Sequence, residues 1–245
     1  MEHIRLFDVP KTYKGDKRAA AVLVAAGSFA RMNGIPKQLH EIDGMPVIAH
    51  TISAFEQAEH IREIVLVARQ QDIQAFCNIC RQYGFKKVIA VTEGGQTRQQ
   101  SVIKGVEILS SSPYIAIHDG ARPLIRPQKI DEVVEAAWRF DAAAAAVLVK
   151  DTVKIADDDG FIMHTPERSR LWFVQTPQVF ETQLFLHAIE TASAKNYDFT
   201  DDCQLVENIG HKIFLVKSDY DNIKITTPDD IAYVKSIIKA KNVRG

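Results

Sequence analysis

From Ala19 to Val149 short apolar runs alternate with stretches of helical periodicity, and this alternation constrains the fold more than any other feature. AAAVLVAAG (19–27), IREIVLVA (61–68), KKVIAV (86–91), YIAIHD (ending at Asp119) and AAAAAVLV (142–149) are apolar runs of strand length. Their continuity, without polar alternation, is the pattern of strands buried on both faces. Between them, Pro46–Glu59, Asp72–Tyr83, Thr97–Leu109 and Pro127–Arg139 carry helical spacing, and Pro127 suits the first position of a helix. Strands alternating with helices imply βαβ units. The expected fold is therefore α/β: a Rossmann-like, mostly parallel sheet flanked by helices. Right-handed crossovers place the loops after the strands along one sheet edge, where such folds bind ligands.

The alternation breaks at Asp151–Phe173. Two short β-type runs, Thr152–Ile155 and Phe161–Thr165, flank a DDDG turn, which predicts a β-hairpin projecting as an arm over about 150–173. Beyond it the pattern predicts a helix near Glu181–Lys195, another from about Asp201, a strand at 212–217 and a last helix. Thr227-Pro228-Asp229-Asp230 opens that last helix much as a capping box does. Residues 1–18 are polar and aperiodic and read as a loose extension; residues 19–245 read as one domain.

Composition narrows the function. Thirty basic residues face thirty-one acidic ones, a net charge of −1. That argues against a broad nucleic-acid surface, which needs a basic excess, but not against a local cationic pocket. The longest apolar run, Ala142–Val149, is too short to span a bilayer. The first residues lack the apolar core of a secretory signal, so a cytoplasmic location is expected. Three cysteines cannot build a disulfide framework, and Cys77 and Cys80 fall on a helix as buried thiols.

Chemistry can sit in six places. AAGSFARMNGIPKQ (25–38) is a glycine-bearing turn after the first strand that could offer N–H groups to a phosphate, with Arg31 and Lys37 to neutralise it. It matches neither a P-loop nor a dinucleotide fingerprint, and an ordinary surface turn is the plain alternative. EGGQTRQQS (93–101) allows close backbone approach to a base or phosphate, with Arg98 and Ser101 at a helix start, or is simply a capped turn. HDGARP (118–123) ends the fourth strand in Asp119, able to hold a cation or a hydroxyl or to cap the next turn, with Arg122 beside it and His118 a structural histidine. Thr152, Arg168 and QTP (175–177) form a fourth set, TDD (200–202) a fifth, and DNIKIT (221–226), with Lys224 in a strand-like run, a sixth. Zinc-ligand spacing, HExxH and GxSxG are absent. The scattered cations suit phosphoryl-type transfer, where positioning and charge neutralisation dominate.

Taken in order, AAGxxxRM, PKQ, GGxxRxxSV, HDGARP, DT-K, RxxLWxxQTPQxF, TDD and DNIKIT span residues 25–226. The set resembles the 2-C-methyl-D-erythritol 4-phosphate cytidylyltransferase family. The resemblance implies transfer of CMP from CTP to a sugar-alcohol phosphate, with Mg2+ and release of pyrophosphate. It implies that Arg31, Lys37 and Lys224 act on the reacting phosphates, and that Ala25, Ala26, Gly27, Gly94, Gly95, Arg98, Ser101 and Asp119 hold the nucleotide. Asp119 would also serve the metal. Arg122 and Thr200 would contact the second substrate, and Thr152 and Arg168, on the arm, would complete that site in the partner of a homodimer. Phe29 stands where the family motif has a small residue. Ribitol 5-phosphate cytidylyltransferase, a nucleotidyltransferase using another sugar phosphate or base, and a non-catalytic nucleotide-binding protein are the competing readings.

Overall fold

The structure, a computed structural model, describes residues 3–6, 15–27, 37–109, 111–194 and 199–242. Its elements in chain order are β1 (His3–Arg5), β2 (Ala19–Val24), β3 (Glu41–Ile42), β4 (Met45–Pro46), α1 (Val47–Gln57), β5 (Ile61–Ala68), α2 (Ile73–Tyr83), β6 (Val88–Glu93), α3 (Arg98–Leu109), β7 (Tyr114–Asp119), α4 (Pro127–Phe140), β8 (Ala142–Leu148), β9 (Ile155–Ala156), β10 (Ile162–His164), β11 (Trp172–Glu181), α5 (Thr182–Ala194), α6 (Asp202–Asn208), β12 (Phe214–Lys217) and α7 (Pro228–Asn242).

Eight strands form one sheet in the order β1-β6-β5-β2-β7-β11-β8-β12. The run β6-β5-β2-β7 is parallel, as is the pair β8-β12. The expected mostly parallel sheet is therefore present, and its apolar runs are buried on both faces. Ala19, Ala21 and Leu23 of β2 face a core layer built with α1, α2 and α4. Ala20 and Val22 face a second layer with α3, α5 and α6. The chain runs outward from β2 through β5 to β6, then returns to β7 on the other side of β2. This reversal opens a crevice between the ends of β2 and β7, where Val24 lies opposite Asp119.

Two strands of this sheet depart from the expectation, and the short pair β3–β4 precedes α1, taking Pro46 out of the expected helix. β11 lies antiparallel between β7 and β8, in a stretch whose polar centre and Pro177 hid its strand character. β1, inside the supposed loose extension, pairs antiparallel with β6, placing His3 opposite Thr92, and the Leu6 N–H donates to the Ile89 carbonyl. The same segment is anchored again at Asp16, which pairs with Arg18 and Arg62.

The hairpin is shorter than expected, β9 against β10, with its turn closed by Gly160 N–H to Asp157 O and Phe161 N–H to Asp157 Oδ1. Residues 221–226, read as strand-like, are irregular. The cap of α7 is as expected: Asp230 Oδ2 accepts from the N–H groups of Thr226 and Thr227 and from the Thr227 hydroxyl. Cys77 and Cys80 are buried in α2, and burial pushes the Cys80 thiol up to about 12.

Candidate active site

Four strand ends build the site, those of β2, β5, β6 and β7. After β2 the backbone of Ala25 is tied down, its N–H donating to Val67 O at 2.7 Å, and Ala26 and Gly27 line the crevice. Phe29 and Arg31 of the expected motif fall in residues 28–36, which lie outside the described residues. The chain re-enters at Lys37, which is 8% exposed, lines the same crevice and donates from Nζ to Ile225 O at 3.3 Å.

After β6 come Gly94 and Gly95. The Gly94 N–H donates to Ala68 O at 2.8 Å, and the Gly95 N–H donates to Ser101 Oγ at 3.0 Å. Ser101 Oγ in turn donates to Thr97 O at 2.9 Å, fixing the first turn of α3. A Cβ on Gly94 would stand 2.4 Å from Ala26 Cβ and 2.8 Å from Ser101 Oγ. The two loops therefore approach closer than side chains allow, which is the physical reason for glycine there. From behind, Lys104 Nζ donates to Gly94 O at 2.7 Å.

At the end of β7, Asp119 gathers the cations. Lys224 Nζ lies 3.0 Å and Arg122 Nε 3.2 Å from Asp119 Oδ2, and Arg98 Nε 3.5 Å from Oδ1. Burial alone would raise the Asp119 carboxyl, but Lys224, Arg98 and Arg122 outweigh it and hold the group well below the carboxylate range. Arg98 continues to Asp202, with Nη2 at 2.7 Å from Oδ2. Burial opposes the charged form of Arg98, and Asp202 and Asp119 more than compensate, raising its affinity for a proton. The resulting cleft of about 530 Å3 is lined by Lys37, Arg69, Arg98 and Lys224 against the single carboxylate of Asp119 among the described residues. Behind the lining, Arg69 is paired with Asp72 at 2.7 Å and Arg98 with Asp202, which leaves a smaller positive excess that still suits an anionic ligand.

His118 is not a base. Burial pushes its imidazole down to about 3, and Thr176 Oγ1 lies 3.0 Å from Nδ1. The Asp119 N–H donates to the same Oγ1 at 3.1 Å, so the hydroxyl proton is free for Nδ1 and the ring is neutral. Thr176 thus braces the backbone that carries Asp119.

The structure brings together Ala26, Gly27, Lys37, Gly95, Arg98, Ser101, Asp119 and Lys224 around the cleft, with Ala25 and Gly94 directly behind it. Arg122 presses on Asp119 and donates from Nη1 to Asn222 O at 2.7 Å. Thr200, given a substrate contact by the resemblance, is turned to Gln204, its hydroxyl donating to Oε1 at 3.1 Å; the neighbouring Asp202 touches the cluster instead. Thr152 and Arg168 lie exposed on the arm, Arg168 donating to Lys150 O, and neither lines this cleft. Arg69 was missed by motif reading. It carries no glycine or motif, but as the first residue after β5 it stands at the ligand-binding edge, and that rule alone marks it.

A switch-point crevice with a glycine-braced loop and convergent cations defines an α/β protein built to bind an anionic ligand at the ends of its strands. Comparison with known proteins makes the class specific. The family model for 2-C-methyl-D-erythritol 4-phosphate cytidylyltransferase (IspD) matches residues 19–240. An enzyme of that name from Caldanaerobacter subterraneus is 42% identical over 224 residues, covering 90% of this chain and 98% of the relative. One from Geobacillus kaustophilus is 41% identical over 222 residues, covering 90% and 97%. The crystal structure of 4-diphosphocytidyl-2C-methyl-D-erythritol synthase from Anaerococcus prevotii superposes with a TM-score of 0.82 at 32% identity, covering 91% of this chain and 97% of that one. The chain belongs to the 2-C-methyl-D-erythritol 4-phosphate cytidylyltransferase family.

Proposed function

We propose that this cleft transfers CMP from CTP to 2-C-methyl-D-erythritol 4-phosphate, giving 4-diphosphocytidyl-2-C-methyl-D-erythritol and pyrophosphate. The observation that carries the reading is the convergence of Lys37, Arg98 and Lys224 on a glycine-walled crevice at the carboxyl ends of β2, β6 and β7. A phosphate monoester is already a nucleophile near neutral pH. One of its oxygens attacks the CTP α-phosphorus in line, the α–β bridging bond breaks, and pyrophosphate leaves with the bonding pair. No protein nucleophile is required. The obstacle is repulsion between two anions, and fixed cations lower it in the transition state.

Lys224 neutralises the α-phosphate, Lys37 and Arg31 balance the charge growing on the leaving pyrophosphate, and the Gly94–Gly95 loop receives the base with Ser101 behind it. Arg122 meets the second substrate. Mg2+ would be held by Asp119, the one carboxylate lining the cleft among the described residues, together with substrate phosphates, in place of the Lys224 and Arg122 contacts to its Oδ2. When bound, Mg2+ would draw charge from the triphosphate oxygens. We place the protein in the cytoplasm and read it as a homodimer. Among the described residues, no helix is long and apolar enough to cross a membrane. In support of the dimer, the arm exposes Phe161 (73%), Ile162 (63%) and Met163 (66%), more apolar surface than a lone hairpin would leave in water. Its Thr152 and Arg168 would then reach the partner's substrate.

Pyrophosphate release with CTP tests the reading, run side by side with methylerythritol phosphate and ribitol 5-phosphate. Turnover is expected with the former. Faster turnover with ribitol 5-phosphate would replace the assignment by the ribitol phosphate reading, and CTP binding without release would replace it by the non-catalytic one.

A further inference from the structure

Asp202 is almost fully buried, at 1% exposure, and faces the site without lining the cleft. Its Oδ2 takes the 2.7 Å contact from Arg98 Nη2, so Arg98 is stretched between a wall carboxylate and Asp119. Asp202 is itself oriented. Gln178, 2% exposed on β11, accepts the N–H groups of Asp202 and Cys203 on Oε1, both at 3.1 Å. The Gln178 amide donates to Asp201 Oδ2 at 3.1 Å, and Asp201 Oδ1 accepts the Gln204 N–H at 3.1 Å. A second tie joins the same two segments, because Gln99 Oε1 accepts the Phe199 N–H at 3.0 Å. The first turn of α3 is thus bolted to residues 199–202, and those to β11.

A guanidinium on a flexible stem has many rotamers, and only a few present it to a ligand in this cleft. A buried carboxylate that holds one end of the fork removes most of that freedom before the ligand arrives. It also lies on the wall side, outside the cleft lining that Arg98 itself belongs to. We propose that Asp202 is a positioning residue that acts through Arg98, setting the guanidinium for the nucleotide, and that Gln178 sets Asp202.

The inference rests on the nucleotide reading of the cleft. Its test therefore uses CTP binding by calorimetry together with turnover. Asp202→Asn keeps the size and removes the charge; Asp202→Glu keeps the charge and displaces it by one methylene. Each is expected to weaken CTP binding and lower kcat/KM roughly tenfold, the scale of one lost charge-assisted contact. The deciding measurement is the cycle with Arg98→Ala. If Asp202 acts through Arg98, Asp202→Asn has no further effect in the Arg98→Ala background. A loss of equal size in both backgrounds overturns the proposal, as does wild-type behaviour of both single variants. If neither single variant folds, Asp202 is structural and the proposal also fails. Should wild-type protein bind CTP without turnover, the transferase reading fails while the cycle, read in binding alone, still decides on Asp202.

Discussion

Gly94→Ala tests the loop geometry directly. The added Cβ would lie 2.4 Å from Ala26 Cβ, against an ordinary carbon–carbon contact of about 3.5–4.0 Å. One loop must therefore move by about 1 Å. Gly94 is not among the residues with a left-handed backbone, so the penalty is steric and not conformational. Little can yield: Ala26 has no rotamer to change, Ser101 is engaged with Gly95 and Thr97, and Lys104 holds the Gly94 carbonyl. Overpacking of this kind costs about 1–3 kcal/mol. For a chain of this size that lowers Tm by roughly 2–12 °C. Activity should suffer more than stability, because a displacement of about 1 Å in a positioning loop can cost roughly a hundredfold in kcat/KM. Differential scanning calorimetry and steady-state pyrophosphate release measure the two effects. Ala26→Gly removes the worse of the two contacts, so Gly94→Ala/Ala26→Gly should recover part of both, leaving the 2.8 Å approach to Ser101. Wild-type kinetics in Gly94→Ala, or a double variant no better than the single one, would refute the close-approach reasoning.

Lys37→Ala should lower kcat by about 10²–10³ without loss of folding, as for removal of one preorganised charge contact at a reacting centre; wild-type turnover would remove Lys37 from the phosphate clamp. Arg168→Ala should chiefly raise KM for methylerythritol phosphate, by roughly tenfold, consistent with one lost charged hydrogen bond. An unchanged KM would take the arm out of the substrate site. Acid denaturation follows from the depressed Asp119 carboxyl. Its folded pKa lies below an unfolded value of about 3.9, so its contribution is complete above that pH and lost as pH falls through the folded value. The difference in urea midpoint between wild type and Asp119→Asn should be full at about pH 6 and shrink below about pH 4. A difference constant across that range would contradict the assignment of Asp119 as the ion-paired form.

The parallel strands were legible because burial on both faces leaves mostly apolar residues to write, as in Ala142–Leu148 or the stretch Ile64–Ala68. β11 was not, for the opposite reason. Its centre carries Gln175, Thr176 and Gln178, polar side chains that serve Asn222, His118 and α6, so a strand turned toward the site resembles a turn. β1 spans only His3–Arg5, too short for any period to register. Among site residues, those on glycine loops or strand ends could be read from local pattern. The convergence of Arg98, Arg122 and Lys224 on Asp119 could not, because it joins residues up to about a hundred positions apart and is created by the sheet order. Asp202 was not singled out, because nothing in TDD says which carboxylate faces inward.

The insertion of β11 between β7 and β8 bears on how the molecule is completed during synthesis. The crossover through α4 lays β8 parallel to β7 but one strand-width away, leaving a slot that the chain fills only when it returns at Trp172–Glu181. Until then β7 and β8 present facing rows of unpaired backbone groups. Thr176 and Gln178, which brace Asp119 and orient Asp202, are carried by that late strand, and Lys224 emerges later still. A nascent chain can thus bury much of its sheet before it owns a working pocket. The segment that closes the slot enters directly from the arm.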